Sequence, residues 1–170
     1  MRNGIKEKLL KKLKEIGIVR KENVKLKYAG KSSFYIDIKK SYGYPEVLDF
    51  ISQYIKSKIK KGVSCVAGAG YGGIPLATAI ATKLGLKLVL VREKKKKHGR
   101  NVWIDGYIPT KSDKILVVDD VLTTGKSVEK VVKILKLTGA KVIECWIVVK
   151  RGEGKIKIPC RFIFNLKDLV

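Results

Sequence analysis

With 170 residues the chain can build one domain around a real hydrophobic core, and its 38 basic against 15 acidic residues leave a net charge of +23. No apolar run reaches the length of a membrane span, and the charged amino terminus has no signal-peptide core, so a soluble, cytoplasmic protein is expected. The three cysteines have no metal-ligand spacing, their odd number argues against a disulfide framework, and buried thiols are expected. The positive excess calls for an anionic partner, but it is spread over residues 6–14, 56–61, 94–97 and 126–141 as solvated faces, so nucleic-acid binding is expected to be incidental at most.

Ile5, Leu9, Leu10, Leu13 and Ile16 recur at helical spacing, and Gly17 can end that helix. Residues 24–26 and 35–38 predict short strands joined by a turn around Gly30. Pro45 opens a helix through Leu48, Ile51, Ile55 and Ile59 that stops before Gly62. Strands and helices then alternate: strand 63–67, helix 74–84, strand 86–91, a long polar loop to Pro109, strand 115–118, helix 127–138, strand 142–149, and an edge strand at 161–164. Continuous apolar strands separated by helices predict an α/β fold with a central, mostly parallel sheet flanked by helices. No repeat or linker divides the chain, so residues 1–170 read as a single domain.

The run Val117-Val118-Asp119-Asp120-Val121-Leu122-Thr123-Thr124-Gly125-Lys126-Ser127 carries the most chemistry. An apolar strand delivers two adjacent carboxylates to its carboxyl end, where ligands bind in open α/β sheets. The hydroxyl-rich turn and the helix after it offer N–H groups to an anion. The carboxylates repel an anion and suit sugar hydroxyls, or a metal held beside them. Together they imply a ribose 5-phosphate. Gly125-Lys126-Ser127 hints at a P-loop, but that loop needs a glycine where Asp120 stands.

A second glycine-rich loop, Gly68-Ala69-Gly70-Tyr71-Gly72-Gly73, contains G-x-G-x-x-G, with Glu93 twenty residues beyond it. A dinucleotide site would use this loop and leave the acidic pair idle. Pyrophosphate on its bare backbone uses both. The run of lysines 94–97, with Arg92 before it and His98-Gly99 after it, reads most simply as a solvated loop. Beside a phosphate site its cations would close over the ligand, stabilise leaving pyrophosphate and exclude water.

The acidic run closely resembles the PRPP-binding signature of the phosphoribosyltransferases. The resemblance implies the type I fold of that family, with a hood-like section at 1–44 and a PRPP-binding core at 45–150. In that family the acidic pair holds the ribose and the turn holds the 5-phosphate. PRPP is therefore expected on Ala69, Gly70, Tyr71, Gly72, Arg92, Lys96, His98, Asp119 and Asp120, and on Val121, Leu122, Thr123, Thr124, Gly125, Lys126 and Ser127. Magnesium is the implied cofactor, held near Asp119 and Asp120 indirectly, with PRPP.

Within that family, Gly-Gly-Ile-Pro-Leu-Ala from Gly72, and Arg92, Lys96, His98-Gly99 and Ile104-Asp105-Gly106, are similar to the orotate phosphoribosyltransferases. The resemblance implies transfer of ribose 5-phosphate to orotate, giving orotidine 5′-monophosphate and pyrophosphate, with Arg92, Lys96, His98, Asp119 and Asp120 catalytic. It also implies a homodimer whose 92–106 loop enters the neighbouring site. Ala29-Gly30-Lys31-Ser32-Ser33-Phe34-Tyr35 resembles the family's base-enclosing turn, and Arg151 matches an arginine near orotate, so Lys31, Tyr35, Thr123 and Arg151 are the expected orotate site. Forked guanidinium donors suit a carboxylate. The chain departs from the pattern at Glu93, where family members often carry lysine, and at Gly72 and Tyr28, where some do. The competing readings are a purine phosphoribosyltransferase, disfavoured by the Lys96–His98–Gly99 pattern and Arg151, and a PRPP- or purine-sensing DNA-binding regulator on the same fold. One helix before the first strand leaves no room for a helix-turn-helix module.

Overall fold

The structure, a computed structural model, describes residues 2–26, 30–98 and 103–170, with side chains for 4–21, 34–98 and 103–170. Helix α1 (Arg2–Ile16) buries Leu9, Leu13 and Ile16 as its periodicity predicts. Strands β1 (Val19–Leu26) and β2 (Gly30–Ile36) pair antiparallel in a two-stranded sheet of their own. Both are longer than expected, and Asp37 and Ile38 leave the strand to start a 3-10 helix, Ile38–Gly43. Asp37 caps it, its carboxylate accepting the Lys40 N–H at 3.3 Å. Helix α2 (Pro45–Lys56) buries Val47, Ile51 and Ile55 and ends three residues before Ile59.

The main sheet holds β3 (Cys65–Gly68), β4 (Lys87–Val91), β5 (Ile104–Gly106), β6 (Lys114–Leu122), β7 (Lys141–Lys150) and β8 (Cys160–Asn165) in the order β5-β4-β3-β6-β7-β8. Every neighbouring pair is parallel except β4–β5. The mostly parallel sheet is thus present, with β5 as an extra strand inside the stretch expected to be loop. Helix α3 (Gly70–Leu84) links β3 to β4, and α4 (Lys126–Lys136) links β6 to β7. A short α5 (Leu166–Leu169) follows β8. Among the described residues no helix is long and apolar enough to cross a membrane.

Side chains alternate across β6. Leu116 and Val118 join one core with Leu9, Ile51, Ala77 and Ile80 from α1, α2 and α3. Ile115 and Val117 join the other, with Val128, Val131, Val132, Ile134 and Leu135 from α4. Each of those large α4 side chains contributes about 1.5–3 kcal/mol by leaving water. The chain runs outward from β3 through β4 in one direction and from β6 through β7 in the other. Crossovers of one hand then place α3 and α4 on opposite faces. The reversal lies between β3 and β6, and the crevice beyond their carboxyl ends is where such sheets bind ligands.

Candidate functional site

Two helix N-termini and two carboxylates meet at that crevice. Helix α3 begins at Gly70, not at Ile74 as expected, so the glycine loop is its first turn. The first bond of the helix is Gly73 N–H to the Ala69 carbonyl at 3.1 Å. Helix geometry leaves the N–H groups of Gly70, Tyr71 and Gly72 without an intrahelical partner. The Ala69 N–H is already donated to the Val118 carbonyl at 2.9 Å. At α4, Gly125 is the N-cap with φ +80°, a left-handed conformation that a side chain would strain. Glu129 N–H bonds the Gly125 carbonyl at 2.9 Å, the first backbone bond of α4, so the helix N-terminus opens directly off the Thr123-Thr124-Gly125 turn.

The period of two that sorts the core also divides the carboxylates. Asp119 falls on the α4 face: one oxygen accepts the Ser127 hydroxyl at 3.1 Å, and the other its neighbour's N–H, from Asp120, at 2.9 Å. Asp120 falls on the α3 face, with one oxygen on the Val121 N–H at 2.9 Å and the other 3.3 Å from the Lys39 ammonium. Both residues are buried. Burial, then the charge of Asp120, hold the Asp119 carboxyl well above the ordinary carboxylate range.

The loop glycines have steric reasons of their own. A β-carbon on Gly68 would meet the Gly73 carbonyl at 2.4 Å, and one on Gly73 would meet the Val118 oxygen at 2.5 Å. Close packing of strand and helix therefore demands them before any ligand arrives.

A cleft of about 550 Å³ runs from Gly70 to Lys126 and Ser127, with Arg92, Glu93 and Lys94 along one side. Lys96 does not line it. Both Lys96 and Arg92 are paired with Asp105 of β5, Arg92 at 2.6 Å. His98 is exposed, and Gly99 lies outside the described residues. Tyr71 is 84% exposed, while Ala69 and Leu122 are core side chains that can offer a ligand only backbone. The Leu122 carbonyl is itself taken by the N–H groups of Arg151 and Gly152, each at 3.0 Å.

Those two bonds, with Gly154 N–H on the Thr123 carbonyl at 3.0 Å, fold the loop after β7 onto the Thr123-Thr124 turn. Arg151 stands there with Nε and Nη2 buried and lacking a hydrogen-bond partner among the described residues. Burial lowers its pKa, and nearby Tyr35 opposes that. Tyr35, Thr123 and Arg151 are thus brought to one place. Lys31 stands in β2 opposite Lys25, and its side chain lies outside the described residues, as does Ala29 of the same turn.

Sequence reasoning missed three participants. Lys39 and Tyr42 come from the 3-10 helix, and Asp105 holds the two loop cations. Their signal was the cap residue Asp37 and the acid inside Ile104-Asp105-Gly106. Among the described residues no three His, Cys, Asp or Glu side chains gather as a metal cage.

The arrangement defines a class of α/β protein shaped for an anion and a polyol side by side. Comparison with known proteins narrows it. A model of the phosphoribosyl transferase domain matches residues 42–169. The orotate phosphoribosyltransferase of Methanocaldococcus jannaschii is 40% identical over 149 residues, covering 88% of this chain and 84% of that one. That of Pyrococcus furiosus is 39% identical over 169 residues, covering 98% and 92%. The crystal structure of orotate phosphoribosyltransferase from Aeropyrum pernix superposes with a TM-score of 0.82 at 29% identity, covering 95% of each chain. The chain belongs to the phosphoribosyltransferase family, among its orotate phosphoribosyltransferases.

Proposed function

We propose that the protein transfers the ribose 5-phosphate of PRPP to orotate, giving orotidine 5′-monophosphate and pyrophosphate. The observation that carries this reading is Arg151. A half-buried guanidinium with two buried nitrogens that lack a partner among the described residues, beside the Thr123 turn and near Tyr35, is costly unless a planar anion completes it. The carboxylate of orotate has that charge and shape.

In this reading Asp119 and Asp120 accept the ribose hydroxyls, using the lone pairs that Ser127, Lys39 and the backbone leave over. Thr123 to Ser127 hold the 5-phosphate at the α4 N-terminus, and the first turn of α3, Gly70 to Gly72, holds pyrophosphate. Lys31 and Tyr35 flank the base. Arg92, Lys96 and His98 close over the leaving group, which requires Lys96 to exchange Asp105 for pyrophosphate. The bond from C1′ to pyrophosphate breaks as a ring nitrogen of orotate bonds C1′ and gives up its proton to water or to the leaving pyrophosphate, and the chain's part is to orient the two and stabilise charge. Two hard carboxylates, too few for a protein cage, fit a magnesium ion carried in with PRPP and keeping its waters. Bound there, magnesium would neutralise phosphate oxygens. Residues 1–44 act as a hood over a PRPP-binding core at 45–150 within one domain. The working form is a cytoplasmic homodimer in which the 92–106 loop serves the neighbouring site.

The test is a PRPP and magnesium assay with orotate, uracil, adenine, hypoxanthine and guanine side by side. Orotate should be consumed, with loss of its ultraviolet absorbance, only when PRPP is present. Purine turnover exceeding orotate turnover would overturn the choice of base, and no turnover of any base would overturn the reading as a whole.

A further inference from the structure

The 3-10 helix Ile38–Gly43 touches both halves of the candidate site at once. Side chains three apart eclipse one another in such a helix, so Lys39 and Tyr42 leave it on one side. The Lys39 ammonium lies 3.3 Å from Oδ2 of Asp120. The Tyr42 hydroxyl donates to the Gly72 carbonyl at 2.7 Å. Burial, with Asp120 and Asp119 nearby, pushes the ionisation of Tyr42 far up, so it stays a phenol and a donor. The two acceptors adjoin each other, because Gly72 is packed directly on the Asp120 carboxylate. Lys39, Asp120, Gly72 and Tyr42 therefore close a ring that joins the acidic strand end to the first turn of α3.

The helix has a firm base. Ile38 is fully buried, the Ser41 hydroxyl donates to the Ile38 carbonyl at 2.6 Å, and the Lys40 ammonium donates to the Ile16 carbonyl at 2.6 Å. The backbone under Lys39 is thus anchored to α1 while its side chain stays half exposed. The match to the family domain begins at Tyr42, so Lys39 comes from outside the matched region.

We propose that Lys39 is a positioning residue for Asp120, and that Tyr42 ties the same helix to the α3 loop, so that the amino-terminal section sets the spacing between the ribose and pyrophosphate subsites. The proposal rests on the PRPP reading above. Its physical basis is that Asp120 is a buried carboxylate beside another. With Lys39 on Oδ2 and the Val121 N–H on Oδ1, each oxygen keeps one direction fixed and one lone pair for a hydroxyl. Without Lys39 the carboxylate loses its cation and its fixed rotamer, and the PRPP sugar loses its acceptor geometry. Orotate, which touches neither oxygen in this reading, should barely notice.

The experiment is steady-state kinetics with each substrate varied in turn, plus calorimetric titration of PRPP, on wild type, Lys39→Met, Lys39→Arg, Tyr42→Phe and the Lys39→Met/Tyr42→Phe double variant. Lys39→Met should raise the PRPP KM about tenfold and leave the orotate KM within about twofold, the scale of one partly exposed charge-assisted hydrogen bond. Lys39→Arg should restore most of the loss. The double variant should cost less than the product of the two singles, because both act on one spacing. Should Lys39→Met not fold, Lys39→Gln carries the same comparison. An active wild type whose uncharged Lys39 variant keeps its PRPP KM overturns the proposal. So does equal damage to both substrates, or failure of arginine to rescue. A wild type that neither binds PRPP nor turns over orotate removes the functional reading itself, a different outcome from any of these.

Discussion

Gly72 and Asp120 are packed so closely that one added carbon does not fit between them: a β-carbon on Gly72 would lie 2.3 Å from Cγ of Asp120 and 2.4 Å from each of its oxygens. Gly72→Ala must therefore displace the carboxylate. Overpacking of this kind costs about 1–3 kcal/mol of stability, and misplacing a ligand group by about an ångström costs about a hundredfold in turnover. The pair should also show epistasis. Adding Asp120→Ala to Gly72→Ala removes the atoms that collide, so denaturation should show stability recovering while PRPP turnover does not.

Asp119 is expected to trade stability for function. Its carboxyl is raised on folding by burial and by Asp120, so its contribution to stability is full below the ordinary range near pH 4 and is lost as pH rises through the raised value. Ionising Asp119 therefore works against the unliganded fold. Asp119→Asn removes that charge, and its amide can still serve both the Asp120 N–H and Ser127. Melting at pH 7 should therefore occur at higher temperature in the variant, with a flatter dependence between about pH 4 and pH 7. Turnover should fall about 10- to 100-fold with the loss of a charged acceptor for a sugar hydroxyl.

Asp113, ahead of β6 at the end of the sheet opposite the site, behaves in the opposite sense. The Thr110 N–H, then the hydroxyls of Ser64 and Tyr107, hold its carboxyl far below the ordinary range. Such a group stabilises above the unfolded pKa near 4, and that contribution is lost as pH falls toward the depressed value. Asp113→Ala should cost about 2 kcal/mol at pH 7, since it orphans several donors. The loss should shrink in acid, and the PRPP KM should stay unchanged. Urea titrations at pH 7 and at pH 3, with kinetics at pH 7, check both parts.

The loop between β4 and β5 allows a test of shared sites. If Lys96 serves the neighbouring subunit while Asp120 serves its own, Lys96→Ala and Asp120→Ala homodimers are both nearly inactive. A mixed dimer then carries both lesions in one site and none in the other. Random equal mixing makes half the dimers mixed, so activity should return to about a quarter of wild type per subunit. Co-expression with mass-spectrometric proof of mixed dimers makes the measurement fair. No recovery would place Lys96 in its own subunit's site and leave the reaction itself standing.

The thiols should differ in reactivity. Cys145 and Cys160 are partners across β7 and β8, and the hydrogen bond between them, aided for Cys160 by Lys150, raises the first and lowers the second. Cys145 and Cys65 are fully buried, whereas Cys160 is half-buried. Brief alkylation of the native protein should label Cys160 first and give one modified thiol per chain, read by peptide mass mapping.

The acidic strand end and the Thr-Thr-Gly turn were legible because they are local. An apolar run, two acids, a turn and an amphipathic helix occupy consecutive positions, and little from elsewhere is needed to form them. The start of α3 was not legible. Four glycines in six residues argue against helix on propensity alone, and a proline favours the first positions of a helix, whereas Pro75 lies inside α3. Packing of Gly68 against Gly73 and of Gly73 against Val118 overrides that preference. Strand β5 has three residues, too few for any periodicity to register. Lys39 and Tyr42 reach the site only through tertiary placement of the 3-10 helix. Their acceptors, a carboxylate 81 residues and a carbonyl 30 residues along the chain, cannot be inferred from neighbours in sequence.

The alternation along β6 makes the strand a ruler as well as a wall. Asp119 meets Ser127 on one face and Asp120 meets Gly72 on the other because Ile115, Leu116, Val117 and Val118 count out that parity. Deleting one residue among them leaves two options. If the apolar side chains keep their cores, the two acids exchange faces; if the acids stay in place, every apolar side chain turns to the wrong core. Variation in length should therefore be tolerated between α4 and β7, where a turn can absorb it, and rejected between Lys114 and Asp119, where a slip of a single position transposes the chemistry.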